Sequence, residues 1–117
     1  MPSLSDALFD IGPEVRYVAT YRAGDLDLRE RPGLKGSSES ESDRYEELLV
    51  NPTLLRLASQ RGNIDCGGLD YLLIRYGNFF QFVMALPDGH VSVALETTVD
   101  MSSVRQVQAV IQDAIRT

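Results

Sequence analysis

The spacing of apolar side chains predicts a helix near each end of the chain. In residues 3–11 and again in residues 104–115, apolar positions recur every three or four residues, as on the buried face of an amphipathic helix. Ser3 or Ser5 can accept hydrogen bonds from the free amides at the start of the first helix. Both segments are therefore expected to pack against a core.

A third helix is predicted in the middle of the chain. It begins near Asp43, which forms a capping-box-like pair with Glu46, and continues over residues 53–61. Pro52 is expected to cause a kink or a restart, because proline lacks an amide hydrogen and disfavours helical geometry in the preceding residue. Gly62 offers the left-handed position that ends helices. The first apolar positions of this helix are Tyr45, Leu48 and Leu49.

Five segments have the alternation or the short apolar run that is typical of β-strands. They are residues 15–22, 26–29, 69–76, 79–86 and 91–97. Turn-forming residues separate neighbouring strands, among them Gly77-Asn78 and Pro87-Asp88-Gly89. Because the third and fourth strands are apolar at successive positions, helices should cover both faces of the sheet. We therefore expect an α+β fold, α-β-β-α-β-β-β-α, in a single domain over residues 1–117.

The segment between the second strand and the middle helix is too polar to enter a core. Serine and glutamate alternate within residues 36–43, and such a composition is typical of a mobile, solvated loop. A phosphorylated or partner-binding loop is the alternative interpretation, and the composition leaves it open.

Charge and hydropathy exclude several classes of partner. The chain carries 17 acidic and 11 basic side chains, a formal net charge of −6, which disfavours nonspecific binding to nucleic acid. The longest apolar runs, residues 71–74 and 82–86, are far shorter than the roughly 20 residues of a membrane-spanning helix. Residues 1–12 lack the basic start of a secretory signal. A cytoplasmic protein without membrane contact is expected.

The sequence contains little that could support catalysis or bind a metal. Cys66 is the one cysteine and His90 the one histidine, whereas an ordinary structural zinc site needs four such ligands. No glycine-rich phosphate loop follows a strand and opens a helix. Glu46 and Glu47 are adjacent on a helix, where side chains diverge, so they are not expected to act together as acid and base. We expect no enzyme, cofactor or metal; a cleft that gathers His90, Cys66 and a carboxylate would be needed for catalysis.

The strand at residues 69–76 raises the question of what covers its edge. Asp70 and Arg75 are its only charged residues, and unpaired amides and carbonyls at a sheet edge invite another strand. A two-fold dimer would satisfy both copies of such an edge. The alternative is that this strand lies inside the sheet, and the pattern alone does not decide between them.

The order of elements and four segments carry a resemblance to a known family. The segments are the strand Tyr71-Leu72-Leu73-Ile74-Arg75-Tyr76, the turn Gly77-Asn78, the segment Leu86-Pro87-Asp88-Gly89 and the helix from Val104. In these features the chain resembles the roadblock family. This family includes dynein light chains and bacterial GTPase-regulating dimers. The resemblance implies a five-stranded antiparallel sheet in the order 2-1-5-4-3, with the middle helix on one face and the terminal helices on the other. It also implies pairing through the middle helix and the third strand. By position, the implied dimer interface comprises Leu48, Leu49, Leu55, Leu72, Ile74 and Tyr76.

The function implied by the resemblance is that of a non-catalytic homodimeric scaffold or regulator of a partner protein, with a small GTPase as the partner. A different class of function remains open as the alternative. A similar sheet could form a small-molecule sensor domain with an aromatic-lined pocket. The residues proposed for that pocket are Tyr17, Tyr21, Phe80 and Phe82. Aromatic strand residues are more often plain core, and a sealed interior would dismiss the sensor.

Overall fold

The computed structural model describes residues 3–32 and 40–116. Its strands are β1 (Val15–Arg22), β2 (Asp25–Glu30), β3 (Leu72–Arg75), β4 (Phe80–Leu86) and β5 (Gly89–Leu95). Its helices are α1 (Leu4–Phe9), α2 (Ser40–Tyr45), α3 (Asn51–Asp65) and α4 (Met101–Arg116). A π-helical turn, Glu46–Val50, connects α2 to α3, and we call the continuous segment α2–π turn–α3 the middle helix.

The five strands form one antiparallel sheet in the order β2-β1-β5-β4-β3. This confirms the predicted fold class and strand order. Among the described residues, β3 pairs with β4 alone and lies at the edge of the sheet, which contradicts the alternative that it is an internal strand. β3 is only four residues long, so the predicted strand over residues 69–76 was too long.

The two faces of the sheet receive different helices because side chains alternate along each strand. On β5, Val91, Val93 and Leu95 pack in one cluster with residues of α1 and α4. His90 and Ser92 point to the opposite face, where they contact Glu47 of the middle helix. The sheet is therefore covered on both faces, as the apolar runs indicated.

The middle helix differs from its prediction at both ends. It begins at Ser40, so Asp43 lies inside α2 and does not cap it; residues 36–39 of the predicted loop lie outside the described residues. The predicted restart at Pro52 is confirmed, because α3 begins at Asn51 with Pro52 in its first turn, directly after the π-helical turn. Gly62 is also helical, and α3 ends instead before Gly67 and Gly68, which have φ of 79° and 92°.

Two close backbone contacts depend on glycine. Gly89 begins β5 beside β1, and a Cβ atom there would lie 1.7 Å from the carbonyl oxygen of Tyr21. A Cβ at Gly62 would lie 3.0 Å from the backbone of Gly68, so the small residue permits the chain to fold back tightly after α3. Among residues 3–32 and 40–116, we find no helix with both the length and the apolar character to cross a bilayer.

Candidate functional site

The middle helix buries two polar side chains and exposes most of its large apolar ones. Its buried positions are Glu47, Asn51, Leu55 and Gly62. Large apolar side chains on the same helix are solvent-exposed: Tyr45 (61%), Leu48 (39%), Leu49 (57%), Leu54 (36%), Leu57 (59%) and Ile64 (75%). The predicted apolar positions Tyr45, Leu48 and Leu49 therefore lie at the surface. We call the six exposed residues the apolar stripe.

A buried carboxylate holds the inward side of the helix on the sheet. Glu47 has no exposed surface and accepts four hydrogen bonds. Its Oε2 accepts from the hydroxyls of Tyr17 (2.8 Å) and Ser92 (2.5 Å). Its Oε1 accepts from Asn51 Nδ2 (2.9 Å) and lies 2.9 Å from His90 Nε2. Both carboxylate oxygens are therefore fully engaged by donors from the sheet and the helix.

The four donors determine the protonation state of Glu47. Burial by itself raises the pKa of a carboxyl, but hydrogen bonds from His90, Ser92, Asn51 and Tyr17 favour the charged form. Their combined effect holds the pKa of Glu47 below its usual value of 4.5. Burial beside this anion also raises the pKa of Tyr17. Glu47 is therefore a carboxylate, and Tyr17 its neutral donor, at neutral pH.

Glu46, the residue before Glu47, has its pKa shifted in the opposite direction. Glu46 Oε1 accepts from the Tyr76 hydroxyl at 3.0 Å, which connects the π-helical turn to the residue just after β3. Burial raises the pKa of Glu46, the Tyr76 hydrogen bond opposes this, and the neighbouring charges of Glu47 and Asp43 add to it. Burial and the same contact raise the pKa of Tyr76 to about 12.

A cavity of about 380 Å³ lies beside this pair, between the start of the middle helix, β1 and the β3–β4 connection. We call it the helix-start cavity. Four aromatic side chains contribute to its wall: Tyr17, Tyr45, Tyr76 and Phe79. Gln81 and Ala94 contribute from β4 and β5. Because Tyr45 is largely exposed, the cavity has polar and aromatic groups within reach of solvent.

The aromatic pocket predicted from the sequence is wrong in composition. Tyr17 lines the helix-start cavity, but Tyr21 stacks on His90 with ring centroids 5.8 Å apart. Phe80 and Phe82 point to the other face of β4, where Phe82 is fully buried in the main core. The side-chain alternation of β4 separates these two residues from Tyr17, because odd and even positions point to opposite faces.

The six residues of the implied dimer interface fall into different environments. Leu48 and Leu49 are exposed on the apolar stripe, whereas Leu55 is 8% exposed, which leaves it little surface to offer a second copy. Leu72, Ile74 and Tyr76 are half-buried and lie at alternate positions on or next to the edge strand. The interface itself stays a prediction.

The residues considered for catalysis or metal binding do not come together as one group. His90 is buried and contacts Glu47, while Cys66 is exposed after α3, where its Sγ donates to Asp65 Oδ1 at 3.3 Å. Within the described ranges, no group of three or more His, Cys, Asp or Glu side chains could hold a metal ion.

Glu47 is the central residue that the sequence interpretation missed, since it was considered only as part of an acid–base pair with Glu46. Two signals in the sequence point to it. Glu47 and Asn51 are four residues apart and share a helix face. His90 and Ser92 are two residues apart on a strand whose other face is Val91, Val93 and Leu95. A polar strand face of this kind requires polar partners when a helix covers it.

Two solved structures have the same fold. The gliding protein MglB from Thermus thermophilus superposes with a TM-score of 0.63 and 11% sequence identity, covering 97% of this chain and 88% of that chain. MglC from Myxococcus xanthus superposes with a TM-score of 0.55 and 13% identity, covering 94% of this chain and 91% of that chain. No protein-family model and no curated protein matches the sequence.

Both solved structures have the roadblock/longin fold. The resemblance inferred from the order of elements and the motifs around β3 and β4 is thereby confirmed for the fold. At 11% and 13% identity, the likeness concerns architecture, and the strand order and the two-sided packing of helices agree with it. The chain therefore has a roadblock/longin-type fold, with a middle helix anchored through Glu47 and an open edge at β3.

Proposed function

We propose that the chain is a cytoplasmic, non-catalytic homodimer that scaffolds or regulates a partner protein, and that this partner is a small GTPase. The observation that carries the dimer is the apolar stripe, which lies on the outward side of a helix next to an open sheet edge. The GTPase rests on the resemblance to the roadblock family, which includes GTPase-regulating dimers.

The apolar stripe is the larger part of the proposed interface. Leu49, Leu57 and Ile64 each expose more than half of their surface, although the same helix buries a glutamate and an asparagine. Several large apolar side chains left exposed along one helix support the assignment of a protein interface. Burying a leucine side chain contributes about 1.5–3 kcal/mol, and a two-fold axis would bury each side chain twice.

The edge of the sheet is the second part. Within residues 3–32 and 40–116, β3 has a hydrogen-bonded strand on one side only, and its outer backbone groups can pair with another strand. The hydrogen bond between Glu46 and Tyr76 places the start of the middle helix beside the end of this edge strand. A second copy could therefore contact the helix and the edge together.

The state of Glu47 supports a non-catalytic role. This carboxylate lies in the most polar buried cluster that we describe, yet its two oxygens already accept from four donors. A general base needs an oxygen within reach of the substrate proton. Glu47 instead anchors a helix, and the proposed activity is binding.

Sedimentation velocity tests the homodimer directly. We expect the wild-type chain to sediment as a dimer at micromolar concentration and both Leu49→Lys and Ile74→Lys to sediment as monomers, because each would place a charge in the apolar interface. Ile115→Lys is the matched control, since Ile115 is 40% exposed on α4, which packs against the opposite face. A wild-type monomer would contradict the dimer, and dissociation of all three variants would contradict its location.

The GTPase is tested separately with the immobilised wild-type chain and an extract of the native host. The extract is divided and supplemented with GDP or with a non-hydrolysable GTP analogue. We expect a small GTPase to be captured preferentially in one of the two nucleotide states. Captured proteins without any GTPase would refute the partner and leave the dimer unaffected.

A further inference from the structure

The helix-start cavity has the dimensions of a small-molecule site. Its volume of about 380 Å³ lies within the range of about 300–1,000 Å³ that is common for ligand pockets. Its wall is formed by the strands β1 and β2, the start of the middle helix, the β3–β4 connection, and one residue each of β4 and β5. The β3–β4 connection contributes Tyr76, Gly77, Asn78 and Phe79.

The charged groups in this wall are mainly anionic. Four carboxylates line the cavity: Glu30, Asp43, Glu46 and Glu47. Arg16 is the one cationic side chain among the lining residues, and its Nη1 donates to both carboxylate oxygens of Glu96 at 3.0 and 3.1 Å. The Arg16 charge is thus partly neutralised outside the cavity, and the carboxylates dominate its electrostatic potential.

The aromatic side chains of the wall also favour a cationic ligand. Tyr17, Tyr45, Tyr76 and Phe79 place four rings around one space. The negative faces of aromatic rings attract cations, and groups of rings are a common means of binding organic ammonium compounds. Phe79 already receives one such contact, because the Arg16 guanidinium lies 5.9 Å from its ring centroid.

We propose that the helix-start cavity binds a small organic cation, an ammonium or guanidinium group on a short aliphatic chain. Glu46 would accept a hydrogen bond from the cation, the other carboxylates would contribute negative charge, and the rings would pack against its charged group and aliphatic chain. The wall is too rich in rings to suit an inorganic ion, which prefers a shell of oxygen ligands. This proposal goes beyond the proposed function and does not depend on the dimer.

Glu46 is the expected anchor for the cation. Glu47 contributes charge, but its oxygens are occupied by four donors. Glu46 accepts a hydrogen bond from Tyr76 through Oε1, and its second oxygen can accept from a ligand. Its raised pKa, caused mainly by burial with the like charges of Glu47 and Asp43 contributing, means that a bound cation would relieve an unfavourable environment.

Agmatine, which carries both a guanidinium and an ammonium group, is a suitable probe. We expect saturable changes in the backbone amide NMR signals of Gly77, Asn78 and Phe79 when agmatine is added to the full-length chain. Glu46→Gln should weaken binding about tenfold, because a charge-assisted hydrogen bond becomes a neutral one. Tyr45→Leu should weaken it about threefold through the loss of one cation–π contact.

Asp113→Asn is the matched control. It also removes one negative charge, but Asp113 lies on α4 and pairs with Arg116, so the affinity should stay the same. The dianion glutarate should not bind. The proposal is wrong if agmatine causes no saturable change, if Asp113→Asn weakens binding as much as Glu46→Gln, or if the neutral analogue 1-butanol produces the same changes.

Discussion

The two faces of the sheet are covered by helices through different kinds of interaction. On the face of α1 and α4, the buried residues are apolar, with Phe82, Leu95 and Ile111 fully buried in one cluster. On the face of the middle helix, the fully buried residues include Glu47, Asn51 and Ser92. The first face is held by burial of apolar area, whereas the second combines a small apolar cluster of Tyr17, Ala19 and Ala94 with hydrogen bonds to a carboxylate.

This difference changes what each face specifies. Apolar burial is non-directional, so α4 can adjust its position by small amounts without losing much of its contact. The Glu47 network is directional, because Tyr17, Ser92 and His90 come from fixed positions on two strands. We infer that the network sets the rotation of the middle helix and thereby keeps the apolar stripe on its outward side.

The arrangement also explains why a polar interior is compatible with a stable domain. Burying a charge is costly unless it is hydrogen-bonded, and here each carboxylate oxygen accepts two hydrogen bonds. One polar atom of the cluster, Asn51 Oδ1, is buried without a hydrogen-bond partner among the described residues. On the face of the middle helix, a substitution that removes a hydrogen-bond donor is therefore expected to destabilise the domain more than one that changes side-chain volume.

The largest effect is expected from removing volume on the apolar face. Phe82→Ala should lower the free energy of unfolding by about 4 kcal/mol, because it removes a fully buried ring and leaves a cavity. Chemical denaturation measures this loss. Leu57→Ala, on the exposed side of the middle helix, is the control and should change stability in dilute monomeric conditions by less than about 0.5 kcal/mol. A loss below about 2 kcal/mol for Phe82→Ala would mean that this core can collapse around the gap.

A smaller effect is expected from neutralising the polar face at constant volume. Glu47→Gln should lower the free energy of unfolding by about 2 kcal/mol, because an amide cannot accept all four hydrogen bonds at once. Glu46→Gln is the neighbouring control, and its stability at neutral pH should equal or exceed that of the wild type, since burial already disfavours the charged form of Glu46. Equal losses in both variants would show that charge alone, without the network, determines the effect.

The sequence allowed the sheet to be predicted better than the site. Alternation within β1 and β5 and the turn residues around Gly77 and Gly89 act over a few positions, and these local signals led to the correct strand order through the family resemblance. The rotation of the middle helix depends on residues far apart in the chain. Glu47 is 43 positions from His90 and 45 from Ser92.

The apolar spacing of the middle helix did not reveal which side of the helix faces the sheet. That side carries Glu47, because the covered strand face presents hydroxyl and imidazole groups that need an acceptor. The end of α3 was also assigned too early. Gly62 is required for close packing against Gly68 and has no role in a left-handed cap, and a sequence pattern does not distinguish these two uses of glycine.

The smallest effect, and the sharpest test of the comparison, is the pH dependence of the two neighbouring glutamates. The pKa of Glu47 is lowered from 4.5 in the folded state, so its stabilising contribution is present above pH 4.5 and is lost as the pH falls through the lowered pKa. The pKa of Glu46 is raised from 4.5. The stabilising contribution of protonated Glu46 is present below pH 4.5 and is lost as the pH rises through the raised pKa.

The difference in unfolding free energy between wild type and Glu47→Gln should therefore shrink as the pH falls below 4.5. As the pH rises above 4.5, the wild type should instead lose unfolding free energy relative to Glu46→Gln. Denaturation series between acidic and neutral pH measure both. Phe82→Ala supplies the reference, because no titratable group lies in its cluster other than Tyr71, which stacks on its ring. Parallel pH profiles for both glutamate variants would contradict the assignment of opposite environments to adjacent residues of one helix.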